Sequence, residues 1–85
     1  MPSPTRDEIA NALVGHINTE IMGAEHPIES TTPFEDAGID SMATLKVLLF
    51  VESTYGFWIP DEELTDTVIG DAQRLAAYIE QRLSS

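Results

Sequence analysis

The sequence predicts an all-α fold, a small antiparallel four-helix bundle with a long first loop and a short third helix. Apolar residues recur at intervals of three and four in three separate stretches, the pattern of amphipathic helices. Prolines and glycines are concentrated between those stretches. With 85 residues, the chain is too short for two independent cores. We therefore expect one domain over residues 1–85, with residues 1–4 as a disordered N-terminus.

The first helix is predicted over residues 5–21. Thr5 and Glu8 have the spacing of a capping box. The apolar stripe that follows has a spacing of four and consists of Ile9, Leu13, Ile17 and Ile21. Gly23 is the expected end of this helix. The connection from residue 22 to residue 40 contains two prolines, and we expect Ile28 and Phe34 to anchor it to the core.

The second helix is predicted from Ser41 to Tyr55, with Asp40 as its N-cap and Gly56 as a left-handed C-cap. The core face of this helix is predicted to consist of Thr44, Val47, Leu48, Val51 and Tyr55. The opposite face is also apolar, with Met42, Leu45 and Leu49, Phe50 at its edge, and Lys46 among them. Two interpretations of that face stay open, a docking surface for partner enzymes and a face covered by the long loop.

The remaining third of the chain predicts an extended segment and two further helices. Phe57 and Ile59 are expected in the core and alternate with Trp58. Two interpretations of Trp58 stay open, an exposed side chain available to a partner or to an attached acyl chain and one partly buried against neighbouring loops. Pro60 is suited to begin a short third helix that ends near Leu64. Asp71 is the expected cap of the last helix, whose core stripe consists of Ala72, Leu75, Ala76, Ile79 and Leu83.

Composition excludes several classes of function. The chain has 15 acidic and 4 basic residues and a net charge of −11, so it lacks the clustered bases that nucleic-acid binding needs. Such a charge favours partners with basic surfaces. The chain has no cysteine, no apolar run long enough to span a membrane and no signal-peptide pattern. We expect a cytoplasmic protein that binds no membrane and is a monomer when free.

One short motif, with its context, carries a family resemblance. Residues 38–42 read Gly-Ile-Asp-Ser-Met, and residues 55–64 read Tyr-Gly-Phe-Trp-Ile-Pro-Asp-Glu-Glu-Leu. Together with Phe34, these segments resemble the acyl and peptidyl carrier proteins, and the resemblance covers residues 9–83. It implies an acyl-carrier bundle in which Ser41 receives 4′-phosphopantetheine from coenzyme A. Asp40 has a supporting role by the same resemblance, beside its role as a helix cap.

The resemblance also implies the partners. A phosphopantetheinyl transferase attaches the arm with magnesium, so the chain itself needs no catalytic residue. An acyltransferase and a ketosynthase, or an adenylating ligase and a condensation enzyme, then use the thioester that the arm carries. We expect these enzymes to contact Met42, Leu45, Lys46, Leu49 and Trp58. The sequence favours polyketide or nonribosomal peptide metabolism, including antibiotic biosynthesis, because the second helix has fewer acids than is usual for fatty-acid carriers.

Three alternatives stay open at this point. Met42, directly after Ser41, resembles the corresponding position of D-alanyl carriers, which an adenylating ligase loads. A small acidic interaction domain without a prosthetic group would use Ser41 only as a cap or as a phosphorylation site. An acidic mimic of nucleic acid is the third. No metal site is predicted, because neither His16 nor His26 has a partner at a recognised metal-ligand spacing.

Overall fold

A computed structural model describes residues 4–22 and 27–84. Helix α1 spans Arg6–His16 and continues as a π-helical segment over Ile17–Met22. Helix α2 spans Ser41–Tyr55, and a 3₁₀ turn over Asp61–Glu63 precedes a short helix α3, Asp66–Ile69. Helix α4 spans Ala72–Ser84. The described residues are all-helical, which confirms the predicted fold class. The predicted N-terminal disorder and the predicted stop at Gly23 concern residues outside the described ranges, except for Pro4.

Helices α2 and α4 both pack against α1, and α4 runs antiparallel to it. The amide of Arg6 donates a hydrogen bond to Glu80 Oε2 at 2.8 Å, which places the start of α1 beside the end of α4. At the other end of α1, the His16 ring stacks on Phe50 of α2, with centroids 4.3 Å apart. The two helices that flank α1 thus enclose a core that lies between all three.

The core follows the predicted stripes closely. Within residues 4–22 and 27–84, the buried apolar residues are Ile9, Ala10, Leu13, Ile17, Ile28, Phe34, Val47, Leu48, Val51, Ile59, Ala72, Leu75, Ala76 and Ile79. Ile28 and Phe34 confirm that the long loop is anchored by apolar side chains. No polar or charged residue is buried in the described part of the chain, so its acidic groups lie at the surface, where water solvates them.

The caps at the helix ends are largely those that the sequence predicts. The hydroxyl of Thr5 accepts from the amide of Glu8 at 3.2 Å, and the Glu8 carboxylate accepts from the amide of Thr5 at 3.1 Å. Asp71 Oδ1 accepts from the amide of Arg74 at 2.8 Å. Gly56 ends α2 with a φ of 86°. These contacts satisfy amides and carbonyls that helix ends leave without partners.

The predicted third helix differs from the one observed. Residues 61–63 form only a 3₁₀ turn, and Leu64 leaves the helical region with φ −84° and ψ 67°. The α-helical turns come later, at Asp66–Ile69, after a new N-cap at Thr65. The first helix also differs, since its last predicted turn is π-helical. Each helix within residues 4–22 and 27–84 is too short or too polar to cross a bilayer.

Candidate functional site

The site begins with a tight turn before α2. The amide of Ala37 donates to Pro33 O at 3.0 Å, that of Gly38 to Glu35 O at 3.2 Å, and that of Ile39 to Phe34 O at 3.0 Å. The last two bonds are the pair that defines a Schellman motif, which needs a left-handed residue after the turn. Gly38 supplies it with a φ of 77°.

The turn is fixed to the rest of the fold at Phe34. Its side chain is buried, and its amide donates to Gly70 O at 2.8 Å, between α3 and α4. Ile39 is partly buried against the core. The chain therefore enters α2 from a position that two separate parts of the bundle determine.

Asp40 is the N-cap of α2. Its Oδ1 accepts a hydrogen bond from the amide of Ala43 at 3.0 Å, and its carbonyl accepts from the amide of Thr44 at 2.8 Å. The amides of Ser41 and Met42 come too early in the helix to have a carbonyl partner within it. They leave two donors at the positive end of a helix dipole, an arrangement that favours an anion.

Ser41 is exposed as the first residue of α2. It lies at a groove of about 650 Å³ that is open to solvent. The lining residues of this groove, hereafter the Ser41 groove, are Ile39, Asp40, Ser41, Thr44, Leu45, Leu48, Trp58, Asp61 and Leu64. An attached phosphodiester would lie near the two free amides, and a narrow amphipathic chain would find apolar walls beside it. The residues present therefore fit a phosphopantetheine arm on Ser41.

The structure brings only some of the predicted site residues together. Asp40, Ser41, Leu45 and Trp58 line the Ser41 groove. Lys46 and Leu49 line a second depression of about 430 Å³ on the side of α2 that faces α1, together with His16, Glu20, Phe50 and Ser53. Met42 lines neither one. The predicted contact residues thus surround α2 rather than forming a single pocket.

The outer surface of α2 is apolar and uncovered. Met42 is 67% exposed, Leu49 49% and Leu45 43%, while Trp58 nearby is 39% exposed. The described part of the long loop leaves this face open, so the alternative in which the loop covers it is wrong for those residues. Phe50 is an exception, because it is half-buried beneath the His16 ring.

Several groove residues could not be anticipated. Asp61 and Leu64 enter the groove from the segment after Trp58, which is distant from Ser41 in sequence. Only the approach of that segment to α2 brings them there, and no local pattern signals it. Thr44 and Leu48, predicted for the core face, line the edge of the groove as well. No group of three potential metal ligands occurs among residues 4–22 and 27–84.

Comparison with known proteins gives one family. The family model described as "Phosphopantetheine attachment site" matches residues 11–79. Over 53 residues, the chain is 38% identical to the anthracycline acyl carrier protein DauA of Streptomyces sp. strain C5. Over the same length it is 36% identical to the anthracycline acyl carrier protein DpsG of Streptomyces peucetius. It is 31% identical over 61 residues to the mitochondrial acyl carrier protein of Dictyostelium discoideum.

The alignments are partial. Those with the two Streptomyces proteins cover 62% of this chain and 61% of each relative. The alignment with the Dictyostelium protein covers 72% of this chain and 51% of that relative. The chain thus matches about three fifths of the length of the first two relatives.

Proposed function

The chain belongs to the phosphopantetheine attachment family, and from that premise we propose that it carries acyl intermediates as thioesters on an arm attached at Ser41. Members of this family carry 4′-phosphopantetheine covalently and are carrier proteins, not enzymes. The proposal concerns the attachment residue, the cargo and the partners. It treats residues 1–85 as one carrier domain.

One observation carries the proposal. Ser41 is the exposed first residue of a 15-residue helix, at the mouth of a groove, within the part of the chain that the family model matches. Asp40 turns its carboxylate back to the amide of Ala43. The hydroxyl of Ser41 is therefore accessible to an incoming enzyme, and the amides beside it are available to the phosphate.

In the transfer of the arm to Ser41, the chain and its partner enzyme have different roles. A phosphopantetheinyl transferase with bound magnesium directs the Ser41 hydroxyl to the β-phosphate of coenzyme A. The new bond joins Ser41 Oγ to that phosphorus as the bond from the same phosphorus to the bridging oxygen breaks. Adenosine 3′,5′-bisphosphate leaves, and the hydroxyl proton passes to a base of the transferase. The chain contributes exposure and position, and Asp40 supports the metal of the transferase. Once attached to Ser41, the arm would supply the thiol that bears the cargo as a thioester.

The cargo is proposed to be an acyl chain of polyketide type. Two relatives are named as acyl carriers of anthracyclines, and we extend the class, not the compound, to this chain. An acyltransferase and a ketosynthase are the corresponding partners. Aminoacyl loading by an adenylating ligase, with transfer by a condensation enzyme, is the contrasting outcome of the test below.

The carrier function is tested on the loaded protein by mass spectrometry. The protein bearing its arm is incubated with acyl-coenzyme A and an acyltransferase, and in parallel with an amino acid, ATP and an adenylating ligase. We expect the mass of the acyl group to be added and then removed by hydroxylamine, which cleaves thioesters but leaves the arm. Mass gain only with the ligase would assign an aminoacyl carrier. No gain with either would contradict the proposed function.

Met42, Leu45, Lys46, Leu49 and Trp58 are the proposed contact surface for these enzymes. The support is the exposure of four large apolar side chains around one helix, since surfaces of this kind mark sites of protein association. Lys46, exposed among them, has no ion-pair partner in the described ranges. It would meet an acidic group of a partner.

Leu49→Ser tests this surface. We expect the KM of the transferase or the acyltransferase for the carrier to rise by about tenfold, the factor that corresponds to ~1.4 kcal/mol. The matched control is Gln81→Ser on α4, which is also exposed and should leave KM unchanged. Equal KM values for both variants with every partner tried would exclude Leu49 from the contact surface.

A further inference from the structure

The segment from Phe57 to Leu64 forms one wall of the Ser41 groove, and its side chains contact different parts of the fold. Trp58, Asp61 and Leu64 line the groove. Ile59 is fully buried in the core. Phe57 does not line the groove; it is partly buried against the core and lies beneath the guanidinium of Arg82.

Arg82 contacts two aromatic rings at once. Its guanidinium carbon lies 4.7 Å from the centroid of the Phe57 ring and 5.9 Å from that of Tyr78. Its Nη1 donates a hydrogen bond to the Tyr78 hydroxyl at 3.1 Å. A planar guanidinium can stack on a ring and donate in its own plane at the same time. Arg82 therefore joins helix α4 to the start of the groove wall.

Tyr78 is the second ring that Arg82 contacts. Burial raises the pKa of its phenol above the ordinary value, and a hydrogen bond with Glu63 raises it further, while Arg82 lowers it. Glu63 belongs to the 3₁₀ turn that also contains Asp61. Phe57, Tyr78 and Arg82 thus form one contact cluster at the start of the groove wall.

We infer that Arg82 is a positioning residue for the Ser41 groove. By stacking on Phe57 while it is held on α4 by Tyr78, it fixes the start of the segment that presents Trp58 and Asp61 to the groove. The functional meaning of this inference rests on the proposed function, since the groove serves the arm only if Ser41 carries one. The contacts of Arg82 themselves do not depend on the arm.

Trp58 reports on the wall directly, because it is the only tryptophan in the chain. In Arg82→Gln, we expect the emission maximum of Trp58 to shift to longer wavelength and its quenching by acrylamide to increase. The double variant Gln81→Arg with Arg82→Gln is the matched control. It returns a positive charge to the last turn of α4 without placing a guanidinium over Phe57. We expect it to behave like Arg82→Gln.

A double-mutant cycle with Phe57→Leu tests whether Arg82 acts through Phe57. If it does, the effects of Arg82→Gln and Phe57→Leu on Trp58 quenching are not additive. Far-UV circular dichroism checks that each variant retains its helices. If Arg82→Gln does not fold, Tyr78→Phe replaces it, because that variant loses only the hydroxyl that Arg82 contacts.

Three results would overturn the inference. The first is Trp58 emission and quenching like those of the parent in the folded variants. The second is full recovery of the parent's emission and quenching in the double variant Gln81→Arg with Arg82→Gln. The third is strict additivity of the effects of Arg82→Gln and Phe57→Leu on Trp58 quenching. All measurements use the protein before any arm is attached. A negative result in these fluorescence tests would therefore not contradict attachment of the arm at Ser41. A negative result in the attachment test would likewise not contradict the role of Arg82 in the groove wall.

Discussion

The side chain of Asn18 makes two hydrogen bonds with the backbone of Ile28. Its Oδ1 accepts from the amide of Ile28 at 2.7 Å, and its Nδ2 donates to the carbonyl of Ile28 at 3.1 Å. Ile28 itself is buried. The π-helical segment after α1 thus fastens the long loop to the core through one amide side chain.

Asn18→Ala should therefore destabilise the fold. Loss of both hydrogen bonds leaves two partly buried backbone groups without partners, which costs ~1–3 kcal/mol in the free energy of unfolding. Chemical denaturation followed by circular dichroism measures the change. Asn11→Ala is the control, because Asn11 is exposed on α1. Equal effects of the two substitutions would show that the Asn18 contacts contribute nothing.

Replacing either of two glycines with alanine should change the free energy of unfolding, in opposite directions at the two positions. Gly38 has a φ of 77°, so Gly38→Ala forces an L-residue into the left-handed region and costs ~1–2 kcal/mol. Gly15 lies within α1 with open space around it, so Gly15→Ala should stabilise the fold by ~0.5–1 kcal/mol. Thermal unfolding of both variants measures these changes. A stabilising Gly38→Ala would contradict the observed turn before Ser41.

Asp40 permits its two roles to be separated. Asparagine caps a helix about as well as aspartate, so Asp40→Asn should keep the stability of the parent, while Asp40→Ala should lose ~1 kcal/mol. If the carboxylate also supports the metal of the transferase, both variants should load their arm more slowly than the parent. Parent-like loading of Asp40→Asn would assign Asp40 to capping alone. Unfolding curves and the initial rate of mass gain measure the two effects.

We expect the fold to lose stability at alkaline pH, because the pKa values of both tyrosines are raised in the folded state. Burial, followed by the charge of Glu8, raises the pKa of Tyr55; burial, followed by Glu63, raises that of Tyr78. The folded pKa values then exceed the unfolded value of about 10. The folded state retains these protons longer, so their stabilising contribution is present below pH ~10 and is lost as the pH rises through the folded values.

Tyrosinate absorbance checks this prediction, since the chain contains only two tyrosines. We expect the folded protein to titrate at higher pH than the chain in denaturant. Tyr55→Phe should reduce the loss of stability in alkali. Coincident titrations of the folded and unfolded chain would contradict the raised pKa of both phenols.

Local chemistry explains why most of this fold could be predicted. The Thr5 and Asp71 caps, the ends of α2 and the anchoring by Phe34 each depend on a few neighbouring residues whose preferences agree. Residues 61–69 carry weaker signals, because several acids and Thr65 suit a cap as well as a helix. The non-helical backbone of Leu64 ends the 3₁₀ turn there and separates it from α3.

The residues of the candidate site also fall into two groups, those that the local sequence could predict and those that it could not. Asp40 and Ser41 could be located because a glycine turn, a cap and a helix start are adjacent in sequence. Asp61 and the contact of Arg82 with Phe57 could not be located, since each joins residues that only the tertiary packing brings together. Exposure of the apolar face of α2 likewise depended on the path of the loop, which the sequence left open.

Attachment of the arm at Ser41 is the central claim, and intact-protein mass spectrometry tests it most directly. The parent, Ser41→Ala and Ser53→Ala are each incubated with coenzyme A, magnesium and a promiscuous phosphopantetheinyl transferase. Ser53 is the control because it is an exposed serine on the same helix. We predict a gain of one phosphopantetheinyl group in the parent and in Ser53→Ala, and none in Ser41→Ala. Equal gain in a folded Ser41→Ala, or no gain in any of the three with several transferases, would contradict the claim.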